Sequence, residues 1–223
     1  MARTTLPGLG LSPEAALKQA DSLFAEKKYT QSVEVYRQLL ARGYRSVPML
    51  LRMAYVEEGL QHPAYALYYL HQAYAIFPDE RVWQKMVTLA ARLHATGYDR
   101  TIFEIACARY AAARHFWIAT NLVLAALLTG LVLFYRKGAK GLAAVQVVTI
   151  ALLLVQLNFS CMHHAIVVND NTPVMRAPSA AGSVEGSLTG GSRVHVLGQE
   201  DVWIRIRSTT GVGYVRKANL LLL

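Results

Sequence analysis

Only two of the 223 residues are cysteine, Cys107 and Cys161, too few for a disulfide-stapled scaffold. Neither falls at a zinc-ligand spacing with the seven histidines. Charge is thin as well: Asp, Glu, Lys and Arg make up 17% of the chain, against about 25% in an ordinary soluble domain. A disordered chain needs the reverse balance, so the 54% hydrophobic share excludes one. No HExxH occurs, and no glycine-rich segment precedes a Lys-Ser or Lys-Thr pair. Gly211-Val212-Gly213 reads as a hairpin. No residue is therefore assigned a catalytic, cofactor-binding or metal-ligating role, and the protein is not expected to be an enzyme.

The charges that are present are unevenly spread. Residues 1–115 carry 14 basic and 10 acidic side chains, a net of +4. Residues 158–223 carry 6 and 4, a net of +2, and Arg136, Lys137 and Lys140 supply the last three of the overall +9. Basic residues do not gather with aromatics on one face, so no nucleic-acid partner is expected. No charged residue occurs from His115 to Tyr135, and none from Gly141 to Asn169.

The first gap holds Phe116–Tyr135, twenty residues that span roughly 30 Å as a helix. Phe116, Trp117, Phe134 and Tyr135 stand where interfacial aromatics belong, between Arg114 and Arg136. The second gap predicts another transmembrane helix over residues 142–160, joined by a loop at 136–141. The expectation is a two-helix transmembrane hairpin, with residues 12–114 and 165–223 on the same side. Asn121 and Gln156 are expected to hydrogen-bond within it. The dense basic loop argues for a cytoplasmic loop and two external regions. The stretch before Ser12 lacks an apolar signal segment, so either the start lies upstream of Met1 or both regions are cytoplasmic. His163 and His164 are expected at the membrane boundary.

Residues 12–114 read as helical. Ser12-Pro13-Glu14 is a helix start: a hydroxyl cap, a proline in the first turn and an acid at the positive dipole end. A period of 34 pairs Ala20 with Ala54, Ser32 with Ala66 and Tyr36 with Leu70. Small residues recur where two helices must approach, and Ile76-Phe77-Pro78-Asp79 ends a unit. These features resemble the tetratricopeptide repeat, an all-α helix–turn–helix unit. Pro63, where the first unit has Tyr29, and Arg100, at a small position of the third, depart from its pattern. The resemblance implies a groove lined by Leu51, Tyr55 and Glu58, then Lys85, Leu89 and Arg92. Lys85 and Arg92 share a helix face. They either hold an acidic segment of a partner or are ordinary solvated cations.

After His164 the texture turns to β. Short β-branched runs alternate with turn residues, and Val202, Ile204 and Ile206 alternate with Trp203, Arg205 and Arg207. Four or five strands in a small barrel are expected. Met175-Arg176-Ala177-Pro178-Ser179, the strand Arg193–Leu197, Trp203 and Gly213-Tyr214-Val215 resemble the bacterial SH3-like (SH3b) domain. Family members bind peptidoglycan peptides or proteins outside the cytoplasmic membrane. Trp203 and Tyr214 are candidate groove residues, although a barrel this small needs large side chains to fill it, which favours packing for Trp203.

The order of parts, repeats then hairpin then SH3-like barrel, resembles the BatE family of bacterial aerotolerance operons. It implies a multi-pass protein of the bacterial inner membrane, with both large regions periplasmic. It also implies a scaffold role beside von Willebrand A-type membrane proteins and a MoxR-type ATPase. The alternative expectation is an envelope sensor that binds peptidoglycan through the barrel. Partner residues, on either view, are Tyr55, Glu58, Lys85, Arg92, Trp203 and Tyr214, with no cofactor.

Overall fold

The computed structural model describes residues 12–134, 140–158, 163–209 and 211–223. The chain divides into two compact units, Met1–Arg100 with Met162–Leu223, and Thr101–Cys161.

The first unit begins with five helices: α1 (Pro13–Ala25), α2 (Tyr29–Ala41), α3 (Val47–Gly59), α4 (Pro63–Ile76) and α5 (Glu80–Arg92). Ser12, Ser46 and Asp79 cap α1, α3 and α5 by accepting first-turn amide hydrogens at 3.3, 3.4 and 2.8 Å. The period reappears in the backbone, with spacings of 34 and 33 residues. Lys27, Gln61 and His94 each adopt left-handed φ, at 60°, 63° and 54°. They follow α1, α3 and α5. One residue on from each, the amides of Lys28, His62 and Ala95 donate to the carbonyls of Leu23, Glu57 and Ala90, at 2.9 Å in every case. The helix end is thus built the same way three times. Twice the chain then turns into a second helix. The third time it runs extended into Thr96-Gly97-Tyr98.

Small residues let the helices meet. Ala20, Ser32 and Ala66 are fully buried, Ala54 nearly so, and the Ser32 hydroxyl donates to the Ala20 carbonyl at 2.9 Å. Leu39, Leu50, Met53, Leu67 and Met86 fill the space between them. Each such side chain contributes roughly 1.5–3 kcal/mol by leaving water.

The rest of the first unit is one antiparallel sheet. Its strands are β1 (His163–Val167), β2 (Thr172–Met175), β3 (Val184–Leu188), β4 (Arg193–Glu200), β5 (Trp203–Ser208), β6 (Gly211–Arg216) and β7 (Leu220–Leu222). The order across it is β3-β2-β6-β5-β4-β1-β7. Ala165, Val167, Val174, Val194, Ile204, Ile206 and Val215 form its core. Gly213 is required there, because a Cβ would lie 2.3 Å from Val174 Cγ1.

This sheet is joined to the helices through the segment that follows α5. The Arg193 amide donates to the Thr96 carbonyl at 2.9 Å, the Thr96 amide to Ser192 Oγ at 3.2 Å, and the Tyr98 hydroxyl to the Gly191 carbonyl at 2.7 Å. Gly97, at φ 90°, permits the approach: a Cβ there would sit 2.0 Å from the Arg193 carbonyl oxygen.

Two sequence expectations are corrected here. A four- or five-stranded barrel standing apart from the repeats gives way to a seven-stranded sheet in the same unit as α1–α5. The additional strands are β2, which contains Pro173, β3, which contains Gly186, and the three-residue β7. Each lacks the alternating β-branched run that marks a strand from sequence.

The second unit contains α6 (Ile102–Ala112), α7 (Arg114–Phe134) and α8 (Lys140–Asn158). Thr101 and Glu104 close a reciprocal capping box at the start of α6. The second correction falls here. Among the described residues, α7 alone is long and apolar enough to cross a membrane; the apolar run of α8 is the shorter Ala144–Asn158. Fifteen residues reach about 22 Å, short of a hydrocarbon layer of about 30 Å. The two-helix transmembrane hairpin, with its second span at 142–160, is therefore not what the chain forms, and the same-side argument built on it falls. Residues 136–139 of the expected loop, and Cys161, lie outside the described residues. His163 and His164 belong to β1 rather than a membrane boundary.

Within this unit α8 packs along α7 through a polar seam. Asn121 Nδ2 donates to Gln156 Oε1 at 3.2 Å, and Gln146 Nε2 to Thr129 Oγ1 at 3.1 Å. Most of the remaining large side chains of both helices are exposed, among them Leu127 and Val147.

Candidate functional site

Two side-chain groups include residues picked out by the 34-residue register, one around Tyr55 and one around Glu58. The first is aromatic. Phe24 on α1, Tyr29 at the start of α2 and Tyr55 on α3 meet edge to face, with ring centroids 5.4, 6.0 and 5.9 Å apart. Each ring presents its positive edge to a neighbour's negative face, which fixes the cluster. Tyr55 nevertheless remains 59% exposed. The Arg52 guanidinium stands 5.7 Å from the centre of the Phe24 ring and pairs with Asp21. Asp21 also accepts from the Tyr36 hydroxyl at 2.6 Å. Burial, then that carboxylate, pushes the Tyr36 hydroxyl above its ordinary pKa, so the tyrosine stays a donor.

The second group is charged. Lys85 and Arg92 lie two turns apart on α5, and both reach Glu58 on α3, at 2.7 and 3.5 Å. The two cations, read from the sequence either as partner-holding or as ordinary solvated groups, thus pair with a carboxylate of the neighbouring helix. All three remain in contact with water, and pairs of this kind contribute about 0–1 kcal/mol. A competing carboxylate would displace Glu58 at little cost.

Trp203 and Tyr214 stand on adjacent strands of the sheet, opposite Arg216 and Arg205 respectively. Trp203 is buried on β5, with the Arg216 guanidinium 5.5 Å from its ring centre. Tyr214 on β6 is half-buried, and its hydroxyl meets Glu200 Oε1 at 3.3 Å. Of the six residues singled out in the sequence, the structure therefore brings together Glu58, Lys85 and Arg92; Tyr55 joins Phe24 and Tyr29, and Trp203 and Tyr214 each have partners of their own.

Two buried polar clusters carried no sequence signal. Glu57 is fully buried and accepts from Arg37 at 2.6 Å and His62 at 3.1 Å. In the sequence it is indistinguishable from Glu58, its exposed-side neighbour. The other lies where helices meet the sheet. Arg193 stands with its guanidinium 5.4 Å from the Trp83 ring centre, and Nη2 donates to His164 Nε2 at 2.7 Å. The His164 ring lies 6.0 Å from that of His71 and 4.5 Å from that of His195, its cross-strand partner. Burial, then the neighbouring Arg193 guanidinium and the His164 ring, pushes the His71 pKa down to about 3. His71 is thus a neutral packing group at ordinary pH. Such a cluster unites residues up to 124 positions apart, which local pattern cannot anticipate.

Compared with known proteins, the chain matches no family model and no curated protein.

Proposed function

We propose that the protein is a membrane-attached adaptor that grips a protein partner through the helical face bearing Tyr55. The observation that carries this reading is the aromatic group itself. A tyrosine held by two neighbouring rings yet 59% open to water is a pre-ordered anchor, and such rings dominate binding where they enter a partner's pocket. Beside it, Glu58, Lys85 and Arg92 supply charges that a partner can re-pair. The recurring helix ends at Lys27, Gln61 and His94 support a tetratricopeptide-like repeat as the frame. The exposed apolar surface of α7 supports attachment to a bilayer.

On this reading the partner is a membrane protein of the von Willebrand A type, the companion that a resemblance to the BatE family in the helical repeats implies. The test uses the full-length protein and that partner, both purified in detergent. Tyr55→Ala should weaken binding by about 30-fold, a loss of roughly 2 kcal/mol, with the melting temperature nearly unchanged. An unchanged dissociation constant would remove Tyr55 as the anchor and, with it, the adaptor reading of this face.

A further inference from the structure

The helix that precedes α7 exposes large apolar side chains that nothing in its own unit covers. Ile102 is 86% exposed and Phe103 54%, at the start of α6. Ile102, Ala106 and Arg109 are all exposed and recur four and three residues apart, so they line one face, with Phe103 beside them. Glu104, Ile105, Cys107 and Ala108 lie around the other side and are less exposed. The exposed side thus turns two large apolar residues, Ile102 and Phe103, toward water, which a soluble surface helix avoids.

The chain context says what would cover that face. Ala113, at φ −99° and ψ 8°, ends α6, and α7 starts at the next residue. The first turn of α7 exposes Phe116 (65%) and Trp117 (47%), whose rings meet edge to face at 5.6 Å. Four large exposed apolar residues and two arginines, Arg109 and Arg114, therefore fall within residues 102–117, which lead into α7, among the described residues the one helix long enough to cross a membrane. Aromatic rings, aliphatic chains and arginine together are the composition of a bilayer's headgroup boundary. The arginine within the stripe decides between a lipid surface and a second copy of the chain. Packing the stripe against another protein would bury the Arg109 guanidinium, whereas a lipid phosphate pairs with it while the stem stays in the apolar layer.

We propose that α6 is an interfacial helix, lying on the surface of an anionic bilayer with Ile102 and Phe103 at the headgroup–acyl boundary and Arg109 on lipid phosphates. This rests on the attachment of α7 to a membrane, and the test separates the two. The full-length protein is reconstituted in vesicles of phosphatidylcholine and phosphatidylglycerol. A nitroxide is introduced through p-acetylphenylalanine, in turn at Ile102, Ala106, Ala111 and Val123, and its accessibility to oxygen and to a water-soluble nickel chelate is measured. Chelate accessibility at Ile102 and Ala106 should be at least about threefold below that at Ala111, on the opposite side of α6, with Val123 deeper still. Introducing Arg109→Glu should return the Ile102 probe toward water. Water exposure at Ile102 and Ala106 with Val123 in the acyl region overturns the interfacial helix and leaves the attachment of α7 standing. Water exposure at all four positions overturns both. Protection at Ile102 that appears only at high protein-to-lipid ratio assigns the face to a second copy and overturns the proposal.

Discussion

Glu57 and Glu58 are adjacent and chemically identical, yet their environments give them opposite consequences. Glu58 shares two water-exposed cations across a helix pair, whereas Glu57 is fully buried with Arg37 and His62 as its partners. Removing a partner from a buried charge costs more than removing the charge, because the remaining ion cannot rehydrate. Arg37→Met should therefore destabilise the fold by about 3 kcal/mol, and Glu57→Gln, which leaves only a half-exposed Arg37 behind, by about 1 kcal/mol. Urea unfolding of both variants checks the order; equal losses would mean that Glu57 is reached by water. His71 gives a dependence on pH. Its folded pKa of about 3 lies below the ordinary 6.5, so the unfolded chain binds the extra proton between those values. Its contribution is complete above about pH 6.5 and is lost as pH falls toward 3, by up to about 1.4 kcal/mol per unit. In His71→Gln that slope should disappear between pH 4 and 6, measured from urea midpoints. An unchanged slope would assign the acid sensitivity elsewhere.

At the scale of helices and strands, the turn after each odd-numbered helix is where sequence and geometry disagree. Lys27 and Gln61 hold left-handed φ although neither is glycine, and a side chain there costs roughly 1 kcal/mol. Lys27→Gly and Gln61→Gly should each raise stability by about 0.5–1 kcal/mol, read from the urea midpoint; a fall would show that those side chains hold the turn in some other way. The positions themselves were readable, because a 34-residue recurrence of small and large residues fixes where helices cross and thus where each must end. The start of α1 was readable for a local reason, the capping hydroxyl of Ser12 followed by Pro13 and Glu14. The faces bearing Tyr55, Glu58, Lys85 and Arg92 follow from that register. That Glu58 closes on both cations does not, since side-chain pairing across helices depends on spacing that no periodicity encodes. Strands β2, β3 and β7 were invisible because Pro173, Gly186 and a three-residue leucine run break or shorten the alternation. The apolar stretch after Gly141 misled in the opposite direction. Its composition suits a membrane span, but its described apolar helix is only Ala144–Asn158, and a span is decided by length.

At the scale of the whole molecule, the joint between helices and sheet decides whether the parts act together. Four hydrogen bonds tie residues 96–98 to Gly191, Ser192 and Arg193, in the place where the first two repeat units continue into a second helix. The sheet therefore completes the helical array, and residues distant in sequence should open as one cooperative body. Gly97 is the place to test this. An alanine Cβ would meet the Arg193 carbonyl oxygen at 2.0 Å, and φ 90° disfavours any side chain, so Gly97→Ala must push the two segments apart. The expected loss is about 3 kcal/mol. Native-state hydrogen exchange then reads its distribution. If the array is one body, the slowest amides of α4 and α5 and those of β1 and β4 should all exchange faster in the variant, by a factor of roughly 100, which is the same free energy expressed as a rate. A change confined to the strands would mean that the helices keep their stability without the sheet, and that an anchor at Tyr55 would have no energetic connection to anything the sheet binds.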